Sequence, residues 1–157
     1  MPRVLFVCTG NICRSPTAEA LLRHRLEQEG LNDWEVESAG TWTMGGRTAS
    51  RFAVQLMATR GLDLTAHRSR AINRHIIEQA DLVLTMTHGH AEALRLEFPD
   101  QAAKIYLLSE MGDGRRYDID DPYGGSLVEY QDSVKEIADL VGAGFDRIRS
   151  LAGKGTR

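Results

Sequence analysis

Val4, Leu5, Phe6 and Val7 form an unbroken apolar run close to the start of the chain. Without alternation, the run reads as a strand covered on both faces, and such strands belong to parallel sheets packed between helices. Turn-forming residues follow in Cys8-Thr9-Gly10-Asn11-Ile12-Cys13-Arg14-Ser15. Pro16 and the stripe Ala18, Leu21, Leu22 and Leu26 then signal a helix. Ser15 reads as its N-cap, with Pro16 in the first position and Gly30 as its stop. Strand, tight loop and helix make the first half of a βαβ unit, and the rest of the chain repeats the alternation.

Trp34, Val36 and Ser38 alternate with Glu35 and Glu37, as in a half-exposed edge strand. Ala49, Phe52, Ala53, Leu56 and Met57 mark a second helix that stops at Gly61. A short helix is predicted over 71–79, a buried strand over 82–84, a helix over 91–98 and a strand over 105–108. Residues 109–126, rich in glycine, proline and acids, read as a long loop, and loops of that length commonly carry function. Leu127, Tyr130, Val134, Ile137, Val141, Phe145 and Ile148 share one face of a final helix that tolerates Gly144. His88 and His90 read as surface or helix-start residues. The predicted fold is one α/β domain over 1–157, with a four-stranded parallel sheet of order 2-1-3-4 flanked by helices. Strand order then reverses beside the loop at 8–15, where ligands bind such sheets.

The chain has 22 acidic and 19 basic residues, a net charge of −3, which argues against a nucleic-acid binder. Its apolar runs fit neither a signal peptide nor a membrane span. The two cysteines, Cys8 and Cys13, make no disulfide framework and are too few for a structural zinc. A reducing cytoplasm is therefore expected, with no metal and no cofactor, and a monomer suffices.

The loop between strand and helix is suited to an anion. It sits at a helix N-terminus, where backbone N–H groups from Thr9 to Arg14 and the helix dipole favour negative charge. Gly10 and Asn11 tolerate the backbone angles that turn successive N–H groups inward. Arg14 adds a planar charged fork that fits two phosphate oxygens. Cys8 lies at the floor, where the same field favours thiolate over thiol, poised for in-line attack on phosphorus. Such a reaction also needs a proton for the leaving oxygen, and Asp118, Asp120 and Asp121, beside Pro122, are candidates.

VCTGNICRSPTAEALLR together with DIDDPYGG, and SAGT at 38–41 with HRSR at 67–70, resembles the low-molecular-weight protein tyrosine phosphatase family over essentially the whole chain. The resemblance implies the fold read above, with Cys8 as nucleophile and Arg14 as phosphate-binding arginine. It implies that Ser15 stabilises the leaving thiolate and that Asn11 shapes the loop through Ser38 and His67. Asp121, directly before Pro122, matches the general acid that later activates water; Asp120 could assist. The implied substrate is a phosphorylated protein or peptide.

Ile12, Trp42 and Tyr123 are candidates for the apolar walls around a phosphotyrosine ring. The segment DPYGGS also resembles the bacterial branch that includes protein arginine phosphatases, in which a threonine stands at the position of Ile12. Phosphotyrosine is therefore the favoured substrate and phosphoarginine the alternative. An arsenate reductase lacks the further cysteines it would need, and a non-catalytic phosphate-binding module leaves Asp121 and Ser15 unexplained. The spacing of Cys8 and Cys13 on one curved loop also predicts a reversible disulfide that protects Cys8 from overoxidation.

Overall fold

Val4, Leu5, Phe6 and Val7 have no exposed surface, as a strand with both faces covered requires. In the computed structural model they lie in β1 (Arg3–Cys8), followed by α1 (Arg14–Gln28), β2 (Glu35–Gly40), α2 (Arg51–Thr59) and α3 (Arg74–Gln79). Next come β3 (Leu82–Thr85), α4 (His88–Glu97), a 3-10 turn (Pro99–Lys104), β4 (Ile105–Leu107), α5 (Glu110–Asp113), α6 (Leu127–Ala143) and α7 (Phe145–Gly153). The structure describes residues 1–154, so the last three residues of the expected domain lie outside the described residues. The sheet is parallel throughout with order β2-β1-β3-β4, as the alternation of elements predicts.

Successive residues of β1 feed opposite layers. Val4 and Phe6 pack with Leu22, Ile137 and Phe145, under α1, α6 and α7. Leu5 and Val7 pack with Ile77, Ala91 and Leu94, under α3 and α4. Each large side chain buried in this way stabilises the fold by about 1.5–3 kcal/mol. A third cluster joins Ile12 and Cys13 to Ala53, Met57 and Tyr130, tying the loop after β1 to α2 and α6. Among the described residues, no helix is long and apolar enough to cross a membrane.

Four local readings need correction. Ser15 is not an N-cap: α1 already starts at Arg14, and no side chain caps it. The Ser15 hydroxyl is committed instead to Cys8 and Asn11. The third helix begins only at Arg74, because Ala71 pairs with Gly40 in a bridge and Asn73 caps the Ile76 N–H. α5 stands inside the expected long loop, with Met111 buried. The final apolar face is real, but the helix breaks at Gly144. There the Gly144 N–H closes α6 on the Leu140 carbonyl at 2.8 Å, and a Cβ would fall 2.6 Å from the Met111 Cβ.

Candidate active site

The loop after β1 turns on Asn11, whose φ of 58° is the sole positive value at a non-glycine among the described residues. Left-handed backbone costs such a residue energy, and here the Asn11 side chain compensates. Its Oδ1 accepts the Arg70 N–H at 3.0 Å, and its Nδ2 donates to Ser15 Oγ at 2.8 Å and Ser38 Oγ at 2.9 Å. The Asn11 carbonyl lies 2.6 Å from His67 Nε2. A carbonyl only accepts, so that nitrogen carries the proton. Ser38 in turn donates to Glu19 Oε1 at 2.6 Å.

Gly10 does not contribute in the expected way. It is not left-handed, and a Cβ there would make only an ordinary contact with Ile12. The close approach that demands glycine is at Gly40, where a Cβ would lie 2.5 Å from the Thr9 carbonyl oxygen. The SAGT segment at 38–41 carries no local signal of that contact, because the Thr9 carbonyl comes from another part of the chain.

Cys8 ends β1 with its Sγ 2.9 Å from Ser15 Oγ. Because Ser15 Oγ accepts from Asn11, its own proton is free to point at Cys8. Arg14 is 4% exposed. Its Nη1 donates to the Ile119 carbonyl at 2.7 Å, and its Nη2 is 3.6 Å from Asp121 Oδ2. Arg14 Nε is buried and has no partner among the described residues. Buried donors are almost always paired, and an anion beside Cys8 would supply the missing acceptor.

Cys8, Thr9, Gly10, Ile12, Cys13, Arg14 and Asp121 line one cavity of about 320 Å³. Three further residues border it: Ile12 is buried in the wall, and Trp42 and Tyr123 stand exposed at the mouth. Arg47, which sequence reading missed, completes the rim. Asp120 lines a neighbouring acidic groove instead, with Glu129, Asp132 and Glu136, and Asp118 is held by His88. Asp121 is thus the carboxyl of the three that faces the cavity, rooted by the buried Pro122.

Both cysteines are free and buried. The Cys13 Sγ sits 3.3 Å from both Ser50 Oγ and Tyr130 Oη, and burial pushes its thiol up from the ordinary range. Burial likewise pushes the Tyr130 hydroxyl up to about 12. Neither partner of Cys13 has a local sequence signal. His90 stands in the first turn of α4, as the helix-start reading expects, but not on the surface. It is buried, with Nε2 2.8 Å from Thr9 Oγ1.

A thiol on the loop that leads into a helix N-terminus, a buried guanidinium with a donor to spare and a half-exposed carboxyl at the mouth can hold a phosphate ester for in-line attack. The family model described as low molecular weight phosphotyrosine protein phosphatase matches residues 3–151. The chain is 36% identical over 148 residues to a probable low molecular weight protein-tyrosine-phosphatase, EpsP, of Ralstonia solanacearum, covering 94% of this chain and 97% of the relative. It is 38% identical over 138 residues to a protein-arginine-phosphatase of Bacillus subtilis, covering 88% and 91%. A crystal structure of a YwlE mutant from Bacillus subtilis superposes with a TM-score of 0.89 at 35% identity, covering 95% of this chain and 99% of that one. The chain belongs to the low molecular weight phosphotyrosine protein phosphatase family.

Proposed function

We propose that the protein hydrolyses phosphotyrosine in proteins or peptides through a phosphocysteine intermediate. The observation that carries this reading is the buried Arg14 Nε, without a partner among the described residues, on the cavity that Cys8 also lines and that Ile12, Trp42 and Tyr123 wall. The Cys8 thiolate attacks phosphorus, forming the S–P bond as the bond to the tyrosine oxygen breaks. Arg14 and the backbone N–H groups of Thr9, Gly10, Asn11, Ile12 and Cys13 hold the phosphoryl oxygens, more strongly as charge spreads in the transition state. Asp121 donates its proton to the leaving phenolate. It then takes a proton from the water that displaces Cys8, releasing phosphate, while the Ser15 hydroxyl stabilises the departing thiolate. Asn11, through Ser38 and His67, keeps the loop in shape. All these groups come from one chain, so a monomer suffices, and free thiols suit a cytoplasmic setting. Cys13 stands in reserve as the disulfide partner of an oxidised Cys8.

Phosphoarginine is the second reading, favoured by the similarity to the Bacillus arginine phosphatase. Against it stands Ile12, a buried apolar wall with nothing to hydrogen-bond a guanidinium. Matched peptides carrying phosphotyrosine or phosphoarginine decide between them through kcat/KM. The parent should prefer phosphotyrosine, and Ile12→Thr should move the ratio toward phosphoarginine by about 10-fold. A parent that prefers phosphoarginine would reverse the assignment. Cys8→Ser should abolish both activities and still bind inorganic phosphate.

A further inference from the structure

Thr87, His88, Gly89 and His90 open α4 beside the site and take no part in the reaction as described. Thr87 Oγ1 accepts the His90 N–H at 3.1 Å, which fixes the backbone of this turn. His90 reaches one half of the site. Its Nε2 is 2.8 Å from Thr9 Oγ1, on the loop that carries Cys8 and Arg14, and its Nδ1 is 3.1 Å from Thr87 Oγ1. His88 reaches the other half. Its Nδ1 lies 2.9 Å from Asp118 Oδ1, and the same oxygen accepts the His88 backbone N–H at 2.8 Å. From Asp118 the chain runs to Asp121 through Ile119, which is tied at both ends of its residue. The Ile119 N–H donates to the Met86 carbonyl at 2.9 Å, and its carbonyl accepts from Arg14.

We propose that this turn is a common mount for the two halves of the site: His90 positions the phosphate loop through Thr9, and His88 positions the acid loop through Asp118. The inference rests on the reading of Cys8 as nucleophile and Asp121 as acid. Both histidines are positioning residues, since neither lines the cavity. The mount is suited to the task. A side-chain nitrogen and a backbone N–H from one residue grip one carboxylate oxygen, so orientation as well as distance is set. Burial, and then the nearby Arg14 charge, hold His90 down to about 4. Near neutral pH its ring is therefore uncharged and directs Thr9 without competing with Arg14 for the phosphate.

The test uses the full chain and a series of aryl phosphates whose leaving phenols run from strongly to weakly acidic. Asp121→Asn sets the scale, with a loss that grows along the series. His88→Ala and Asp118→Ala should show the same tilt, losing about 10-fold on the least acidic phenol and little on the most acidic. The double variant should behave like Asp118→Ala alone, because both changes remove one contact. His90→Leu should instead raise the inhibition constant of inorganic phosphate, and KM for every ester, by a common factor of about 3–10. Thr9→Val should match it, and His90→Gln should recover most of the affinity by returning a polar atom near Nε2.

An equal loss on every ester in His88→Ala and Asp118→Ala overturns the acid-loop half. Unchanged phosphate inhibition in Thr9→Val, or in a folded His90→Leu, overturns the phosphate-loop half. Should Asp121→Asn show no tilt, another group is the acid and the His88 half falls with that reading. Phosphate inhibition still decides the His90 half.

Discussion

Cys13 has two competing attachments. Its loop brings it into the cavity that holds Cys8, while its thiol contacts Ser50 and Tyr130 and burial keeps it protonated. A disulfide with an oxidised Cys8 therefore requires Cys13 to leave both hydroxyls and lose its proton. Cys13→Ser should leave turnover nearly intact but make peroxide inactivation poorly reversible by thiols. In the parent, recovery should improve when the oxidation is done at higher pH, where more thiolate forms. Equal recovery of Cys13→Ser and parent after the same peroxide exposure would remove the protective role. At this scale the sequence was most informative where the site is local. Cys8, Asn11 and Arg14 lie within one short stretch whose spacing already carries an anion site, whereas Ser15 read only as a cap and its place at Cys8 came from the family resemblance. Ser38, His67 and Asp121 needed the family resemblance. His90, Tyr130 and the reason for Gly40 stayed hidden because each depends on a partner from a distant part of the chain: Thr9, Cys13 and the Thr9 carbonyl. A histidine in the first turn of a helix has no pattern that separates a buried ring from a solvated one.

Elements were legible wherever burial follows a period. The apolar run of β1, the stripe of α1 and the face running from Tyr130 to Ile148 all pack as their patterns require. What periodicity cannot show is a break that preserves the face, and Gly144 makes one. The two glycines around Ala143 have opposite surroundings. At Gly144 an added Cβ meets the Met111 Cβ at 2.6 Å and the Met111 carbonyl oxygen at 2.7 Å, and backbone yields poorly. At Gly142, inside α6, it meets nothing within 4 Å. Gly144→Ala should therefore destabilise by about 1–3 kcal/mol. Gly142→Ala should stabilise by about 0.5–1 kcal/mol through the lost backbone freedom of the unfolded chain. Urea midpoints of the two variants against the parent test both signs. If both shift the same way, the corner between α6 and α7 is not packed on Met111 as described.

For the whole molecule, pH acts on stability through groups whose proton affinity changes on folding. Asp100, held down to about 2 by Arg74, and Asp118, held low first by the His88 backbone N–H, favour the fold above the ordinary carboxylate range. Their contribution fades as pH falls through their folded values. Glu136 works the other way, because burial raises it and the folded chain keeps its proton more tightly. His90 acts at a higher pH than the two aspartates. Unfolded, it titrates near 6.5, and in the fold it is held down to about 4. Between those values the unfolded chain binds one more proton than the folded one, so acidification favours unfolding. The stabilisation is complete above about 6.5, falls by up to about 1.4 kcal/mol per pH unit, and is gone below about 4. His90→Gln removes that proton and leaves the carboxylates in place, so the difference between parent and variant isolates the histidine. Urea stability measured at about pH 7 and about pH 5 should fall more steeply in the parent than in His90→Gln. Parallel decline in the two proteins would show that His90 is not carried into the fold as a buried neutral ring. The mount between the phosphate loop and α4 would then have to bind Thr9 in a charged form.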